Sequence, residues 1–148
     1  DIETIHAATD LLAEAKLSPE LRNEALYYRA KAYTKQKAGK KAMEDYRELA
    51  KDTRNPYGAE AKYQVAQSLY DAKEYAAAEK ELLNYIEQST PHAYWLARSF
   101  ILLSDVYHAT GKDLDARQYL LSLQQNYQGN DDIESMIESR LSKLKVEN

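Results

Sequence analysis

Residues 62–82 read KYQVAQSLYDAKEYAAAEKEL. Two small residues in this stretch, Ala66 and Ala78, stand twelve apart, and a large one, Leu82, follows four later. The apolar pattern is helical on both sides of Asp71-Ala72-Lys73, so Ala66 falls on one helix and Ala78 on the next. Small side chains at those points let the two helices of a hairpin approach closely. Leu82, one turn beyond Ala78 on the same face, fills the seam. The same spacing occurs as Ala30, Ala42 and Tyr46 upstream and as Ser104, Ala116 and Leu120 downstream. The unit recurs after 36 and then 38 residues, and a period in this range marks a solenoid or array of helical hairpins.

Helix punctuation carries the same rhythm. Each of the three prolines follows a helix-capping residue: Ser18-Pro19, Asn55-Pro56 and Thr90-Pro91. The capping side chain accepts a free backbone N–H, and proline at the next position gives up a donor that the helix has no use for. The prolines are 37 and 35 residues apart, and Gly129-Asn130-Asp131-Asp132 supplies a further stop followed by caps. These signals predict helices over 2–16, 19–37, 40–53, 56–72, 74–88, 91–109, 113–127 and 131–145, with Gly39 and Gly111 in the hairpin turns. No strand pattern, linker or low-complexity segment interrupts them, which predicts one all-α domain.

Composition excludes several classes of function. No apolar run approaches the ~20 residues that a membrane span requires. A formal net charge of −4 gives no general attraction for nucleic acid or anionic lipid. The basic stretch from Arg29 to Arg54 is interleaved with Glu44, Asp45, Glu48 and Asp52 and reads as a solvated helix surface rather than an anion-binding patch. With no cysteine, disulfides, thiolate chemistry and cysteine-ligated zinc are absent. Thirteen tyrosines, against one Phe and one Trp, suit thin helical layers in which a ring is covered while its hydroxyl reaches water.

The repeat resembles the tetratricopeptide family, whose pattern runs from a large residue through a leucine–glycine pair, Tyr, Ala and an aromatic to Pro. The matching residues are Leu26, Arg29-Ala30, Tyr33, Ala42 and Tyr46; then Lys62, Val65-Ala66, Leu69, Ala78 and Leu82; then Phe100, Leu103-Ser104, Tyr107, Ala116 and Leu120. Arg29, Lys62 and Ser104 depart from the consensus, as do the longer inter-repeat connections. The resemblance implies a right-handed superhelical solenoid of antiparallel helix hairpins. Residues 1–17 would be the second helix of a truncated repeat, 19–54, 55–89 and 90–128 full repeats, and 131–146 a C-terminal capping helix. Ala8, Leu12 and Ala15 fit that truncated repeat, so the native protein is expected to extend N-terminally. The long, irregular repeats look like those of bacterial cell-envelope proteins, namely the outer-membrane assembly lipoprotein and Tol-system coordinator families. That likeness favours periplasm or envelope over cytoplasm.

Such a solenoid binds along the concave groove lined by its first helices. The family's groove positions correspond here to Glu24, Tyr27, Lys31 and Thr34, then Glu60, Tyr63, Gln67 and Tyr70, then Arg98, Ile101, Asp105 and His108. Of these, Tyr27, Lys31, Thr34, Tyr63, Gln67, Tyr70, Ile101, Asp105 and His108 are the expected partner-binding set. The implied function is a non-enzymatic scaffold that holds a peptide or protein segment, with no cofactor, metal or nucleic acid. The carboxylate clamp of some family members is mostly missing at Tyr27, Lys31, Gln64, Arg98 and Leu102. One alternative is a structural spacer that self-associates through its N-terminal face; another is an enzyme with an acid/base site in the groove.

Catalytic patterns are sparse. Glu3-x-x-His6 has the spacing of a carboxylate di-iron motif, but such bundles need two copies and two further glutamates. Asp105 and His108 are three apart and within reach of a hydrogen bond on a helix surface. Tyr94 and Trp95 sit on the most apolar helix, where core packing competes with a role as partner anchors.

Overall fold

The computed structural model describes residues 1–144. Among them are eight α-helices and no strand: α1 (Ile2–Leu12), α2 (Pro19–Lys35), α3 (Gly39–Leu49), α4 (Pro56–Asp71), α5 (Tyr75–Glu87), α6 (Ala93–Ala109), α7 (Asp113–Asn126) and α8 (Ile133–Leu141). Each predicted helix has one counterpart; the differences lie at the ends. At the first two prolines the expected caps form. Ser18 Oγ accepts from the Leu21 N–H at 3.2 Å, and Asn55 Oδ1 accepts from the Gly58 N–H at 2.8 Å. Thr90 instead accepts from the His92 N–H two residues on, at 3.3 Å, which leaves Pro91 outside α6. Asp131 does the same for Ile133 at 3.0 Å, so α8 begins at 133 rather than 131. Its expected end at residue 145 lies outside the described residues. α1 and α3 stop about a turn early because their last amides tighten onto carbonyls three back, Glu14 onto Leu11 and Asp52 onto Leu49.

The three hairpin turns share one hydrogen-bond pattern. Ala38, Glu74 and Lys112 each donate to the carbonyl five residues back, on Tyr33, Leu69 and Tyr107, at 2.8, 2.9 and 2.8 Å. The residue before each donates three back: Lys37 to Thr34, Lys73 to Tyr70 and Gly111 to His108. This is the Schellman closure, and it needs a left-handed residue just past the helix. Lys37 (φ 59°), Lys73 (φ 62°) and Gly111 (φ 81°) occupy that position, 36 and 38 residues apart. Gly39 lies two residues further on, as the first residue of α3. Ala38, Glu74 and Lys112 then accept the first bonds of the next helices, from Ala42, Ala78 and Ala116, each at 3.0 Å. The turn thus fixes where the small seam residue of the second helix enters. All six small residues, Ala30, Ala42, Ala66, Ala78, Ser104 and Ala116, are buried, as are Tyr46, Leu82 and Leu120.

The chain divides into two compact units, Asp1–Val65 and Ala66–Asn148. In the first, α1 packs on α2 and α2 on α3. Arg29, where the later copies of the repeat carry Val65 and Leu103, donates from Nε and Nη2 to both oxygens of buried Asp45 at 2.8 and 2.7 Å and from Nη1 to Thr9 at 3.2 Å. One guanidinium therefore links α1, α2 and α3, and its fork geometry is what makes the two-oxygen contact. The start of α4 comes so close to the end of α3 that a Cβ on Gly58 would overlap the Asp52 carbonyl and stand 2.8 Å from that of Leu49.

In the second unit α5 packs on α6, α6 on α7, and α8 on both α6 and α7. Its core joins Ala97, Ile101, Leu120, Leu123, Ile133 and Ile137. Ile133 and Ile137 are fully enclosed, worth ~1.5–3 kcal/mol each in transfer free energy. Charged residues occupy the other face of α8, which therefore closes the hairpin as an amphipathic helix should.

Candidate functional site

Two of the expected groove residues form a cluster in the first unit. The Tyr27 hydroxyl donates to Glu60 Oε1 at 2.9 Å, and the Lys31 ammonium pairs with Glu60 Oε2 at 3.3 Å. That ammonium also lies 5.0 Å from the centre of the Tyr27 ring, within cation–π range. Tyr57 and Tyr28 flank the same ring with centroids 4.6 and 5.4 Å away. The hydrogen bond with Tyr27, reinforced by the Glu60 charge, pushes the Lys31 ammonium well above its ordinary range. Burial raises the Tyr27 hydroxyl too. Both groups stay protonated at neutral pH, so neither serves as a base or nucleophile there. Thr34 bonds back to the Ala30 carbonyl at 3.0 Å. Tyr63 is only 5 % exposed and belongs to the packing rather than to an open surface.

The second unit holds a polar pocket of ≈ 380 Å³ lined from α4, α6, α8 and the two residues after α8's cap. Gln67, Tyr70, Asp105 and His108, all expected site residues, line it together with Ser104, Arg140, Lys143 and Leu144. Asp105 accepts from Arg140 Nε and Nη2 at 3.2 and 3.3 Å. His108 Nδ1 meets Asp113 Oδ1 at 2.8 Å across the turn into α7. The Asp105–His108 contact that the spacing allows is therefore not formed; each residue pairs with another helix instead. Gln67 donates to Asp71 at 2.9 Å, and the Tyr70 ring stands edge-on to Tyr75 at 5.6 Å.

Ile101 is the clearest departure from expectation. It is 1 % exposed and packs in the core beneath α8, so it is not available to a partner. The groove positions of the third hairpin assume an open first helix, and here the closing helix lies on it. Arg140 and Lys143 are the site residues that sequence reasoning missed. The sequence marks them only as charges on or just past a capping helix, since Asp105 lies 35 and 38 residues away in the chain. Tyr94 accepts from Arg98 Nη1 at 2.9 Å and donates to Asp132 at 3.0 Å, tying α6 to the start of α8. Trp95 stacks edge-on against Tyr94 and lies beside the Arg98 guanidinium.

Among the described residues no group of three or more His, Asp or Glu side chains is arranged to hold a metal ion, and no helix is long and apolar enough to cross a membrane. No family model, no curated protein and no solved structure matches this chain.

Proposed function

We propose that this chain is a tetratricopeptide-like solenoid of antiparallel hairpins, closed by a C-terminal capping helix, that holds a peptide or protein segment without catalysing a reaction. The observation that carries the reading is the thrice-repeated hairpin: one turn geometry, one seam of small residues and one period, delivered by three unrelated turn sequences. A unit that cannot bury its own apolar face gains a core by stacking on the next, which is the physical logic of a repeat protein. The scaffold reading is supported by what sits at the groove positions. The pocket of Gln67, Tyr70, Asp105 and His108 mixes an aromatic wall with charged and hydrogen-bonding groups, as segment-binding sites do. The groove lysine, Lys31, is paired and held charged rather than activated.

Affinity capture from the native host tests this, with the parent chain, a Tyr70→Ala variant and a Gln118→Ala variant on the exposed side of α7 run side by side. The proposal expects one partner, retained by the parent and Gln118→Ala and lost by Tyr70→Ala. Equal retention by all three would remove the pocket from the proposal, and a dimer of the chain as the sole capture would replace the scaffold with self-assembly.

A further inference from the structure

The pocket of the second unit has more cation than anion. Arg140 and Lys143 line it against one lining carboxylate, Asp105, which leaves one positive charge in excess in the lining; Asp71 and Asp113 stand outside it, held by Gln67 and His108. In the first unit the cations near the groove positions are matched: Arg29 by Asp45 and Lys31 by Glu60. The surplus is also oriented. A guanidinium has five N–H donors in a fixed plane, and Arg140 uses two of them on Asp105. The other three, including both on Nη1, have no partner among the described residues, while the ion pair holds their plane in place. Lys143 makes no ion pair among the described residues.

Two hydroxyls complete the lining. Ser104 is 1 % exposed and lines the pocket. The Tyr70 hydroxyl has no hydrogen-bond partner among the described residues, and burial together with the Asp105 charge keeps it protonated, hence a donor.

We propose that this pocket receives the side-chain carboxylate of an aspartate or glutamate in a bound peptide segment, with Lys143 and the free N–H groups of Arg140 as its cationic ligands and the Ser104 and Tyr70 hydroxyls as further donors. The inference rests on the reading of the chain as a segment-binding scaffold. The donor set matches a carboxylate, which accepts at about four lone-pair positions on two oxygens. The charge matches as well. A single excess positive charge beside the fixed Asp105 suits a monoanion and disfavours a phosphate dianion, which Asp105 repels. The size points to a side chain with its neighbours, because a small inorganic anion leaves most of a ≈ 380 Å³ pocket unfilled.

The probe is a blocked pentapeptide, N-acetylated and C-amidated Ala-Tyr-Glu-Tyr-Ala, titrated into the whole chain at millimolar concentration and followed by backbone amide shifts. Its counterparts are the same peptide with Gln for Glu, the Gln peptide with a free C-terminal carboxylate, and inorganic phosphate. The expected result is shifts centred on residues 67–70, 104–108 and 140–144, with the Glu peptide binding about tenfold tighter than the Gln peptide, as charge-assisted bonds allow. Lys143→Gln, at an exposed position without an ion pair among the described residues, should keep the parent's thermal transition and lose most of that preference. Ser104→Ala should weaken the Glu peptide more than the Gln peptide. Equal binding of the Glu and Gln peptides in the pocket would overturn the carboxylate inference and leave the scaffold reading standing. An unchanged preference in Lys143→Gln, no shift from either blocked peptide, or tighter binding by the free C-terminus or by phosphate would each overturn it as well. In those cases the scaffold reading is judged separately, by the capture experiment with Tyr70→Ala.

Discussion

The cluster at Tyr27 and the pocket at Tyr70 are built from the same residue types, and they end in opposite conditions. In the first unit Lys31 and the Tyr27 hydroxyl both turn to Glu60, and Arg29 spreads its fork over Asp45 and Thr9. In the second, two lining cations face one lining carboxylate, and the Tyr70 hydroxyl has no hydrogen-bond partner among the described residues. The two hairpins also close differently. An ion pair and a glycine contact fasten the first, while the apolar face of the capping helix fastens the second. A repeated backbone therefore does not imply a repeated site. What decides is how many carboxylates fall within reach of the groove cations.

Each difference predicts a separate way to damage one unit. Ile137→Ala should cost ~2–5 kcal/mol, because it empties a fully enclosed position under the capping helix. Hydrogen exchange should then speed up in α6, α7 and α8 and stay slow in α2 and α3; uniform acceleration would contradict the separate closure. Gly58→Ala should destabilise the first unit by about 3 kcal/mol, at the upper end for overpacking, since the obstacle is backbone that has little room to yield. Gly39→Ala, with open space around it and a helix-favouring effect, should cost nothing by urea denaturation.

The turns provide a smaller test. Lys73→Gly should raise stability by ~0.5–1 kcal/mol by relieving a left-handed lysine, and Gly111→Ala should lower it by ~1 kcal/mol by creating that strain. Equal and negligible effects would mean that the two turns are not the same structure.

Alkaline pH acts on the second unit through Tyr127. Burial, together with its hydrogen bond to Asp131, pushes this hydroxyl up to about 12. An unfolded tyrosine titrates near 10. Stability is therefore complete below pH 10 and falls toward pH 12, as the unfolded chain gives up a proton that the folded chain keeps. Urea midpoints measured across that window should drop less steeply in Tyr127→Phe than in the parent. The smallest effect is the sharpest on the comparison itself. Glu60→Gln removes the carboxylate that occupies Lys31 and Tyr27, so the acidic pentapeptide should begin to shift amides around residues 27–31, weakly.

Helix count, hairpin pairing and period were legible because they depend on near neighbours in the chain. Ser18-Pro19 and Asn55-Pro56 act through bonds three residues long, and the alanines twelve apart act through one turn. Thr90-Pro91 misled because a threonine hydroxyl has two amides within reach, and here it takes the nearer one. The candidate site was half legible. Gln67, Tyr70, Asp105 and His108 do line one pocket, since helical spacing puts them on the inner faces of α4 and α6. Ile101 and Tyr63 share that spacing yet are buried, because the neighbours that cover them are set by packing rather than by pattern. The Arg140–Asp105 pair spans 35 residues and two helices, and no local signal announces it.

The most direct test of the account is a site-specific photo-crosslink in the native host. Benzoylphenylalanine is placed at Gln67 in the pocket and, separately, at exposed Gln118 on α7. The account predicts a discrete adduct with one other protein from position 67 and none from position 118. Adducts of equal yield from both positions, or an adduct only with a second copy of the chain, would contradict it.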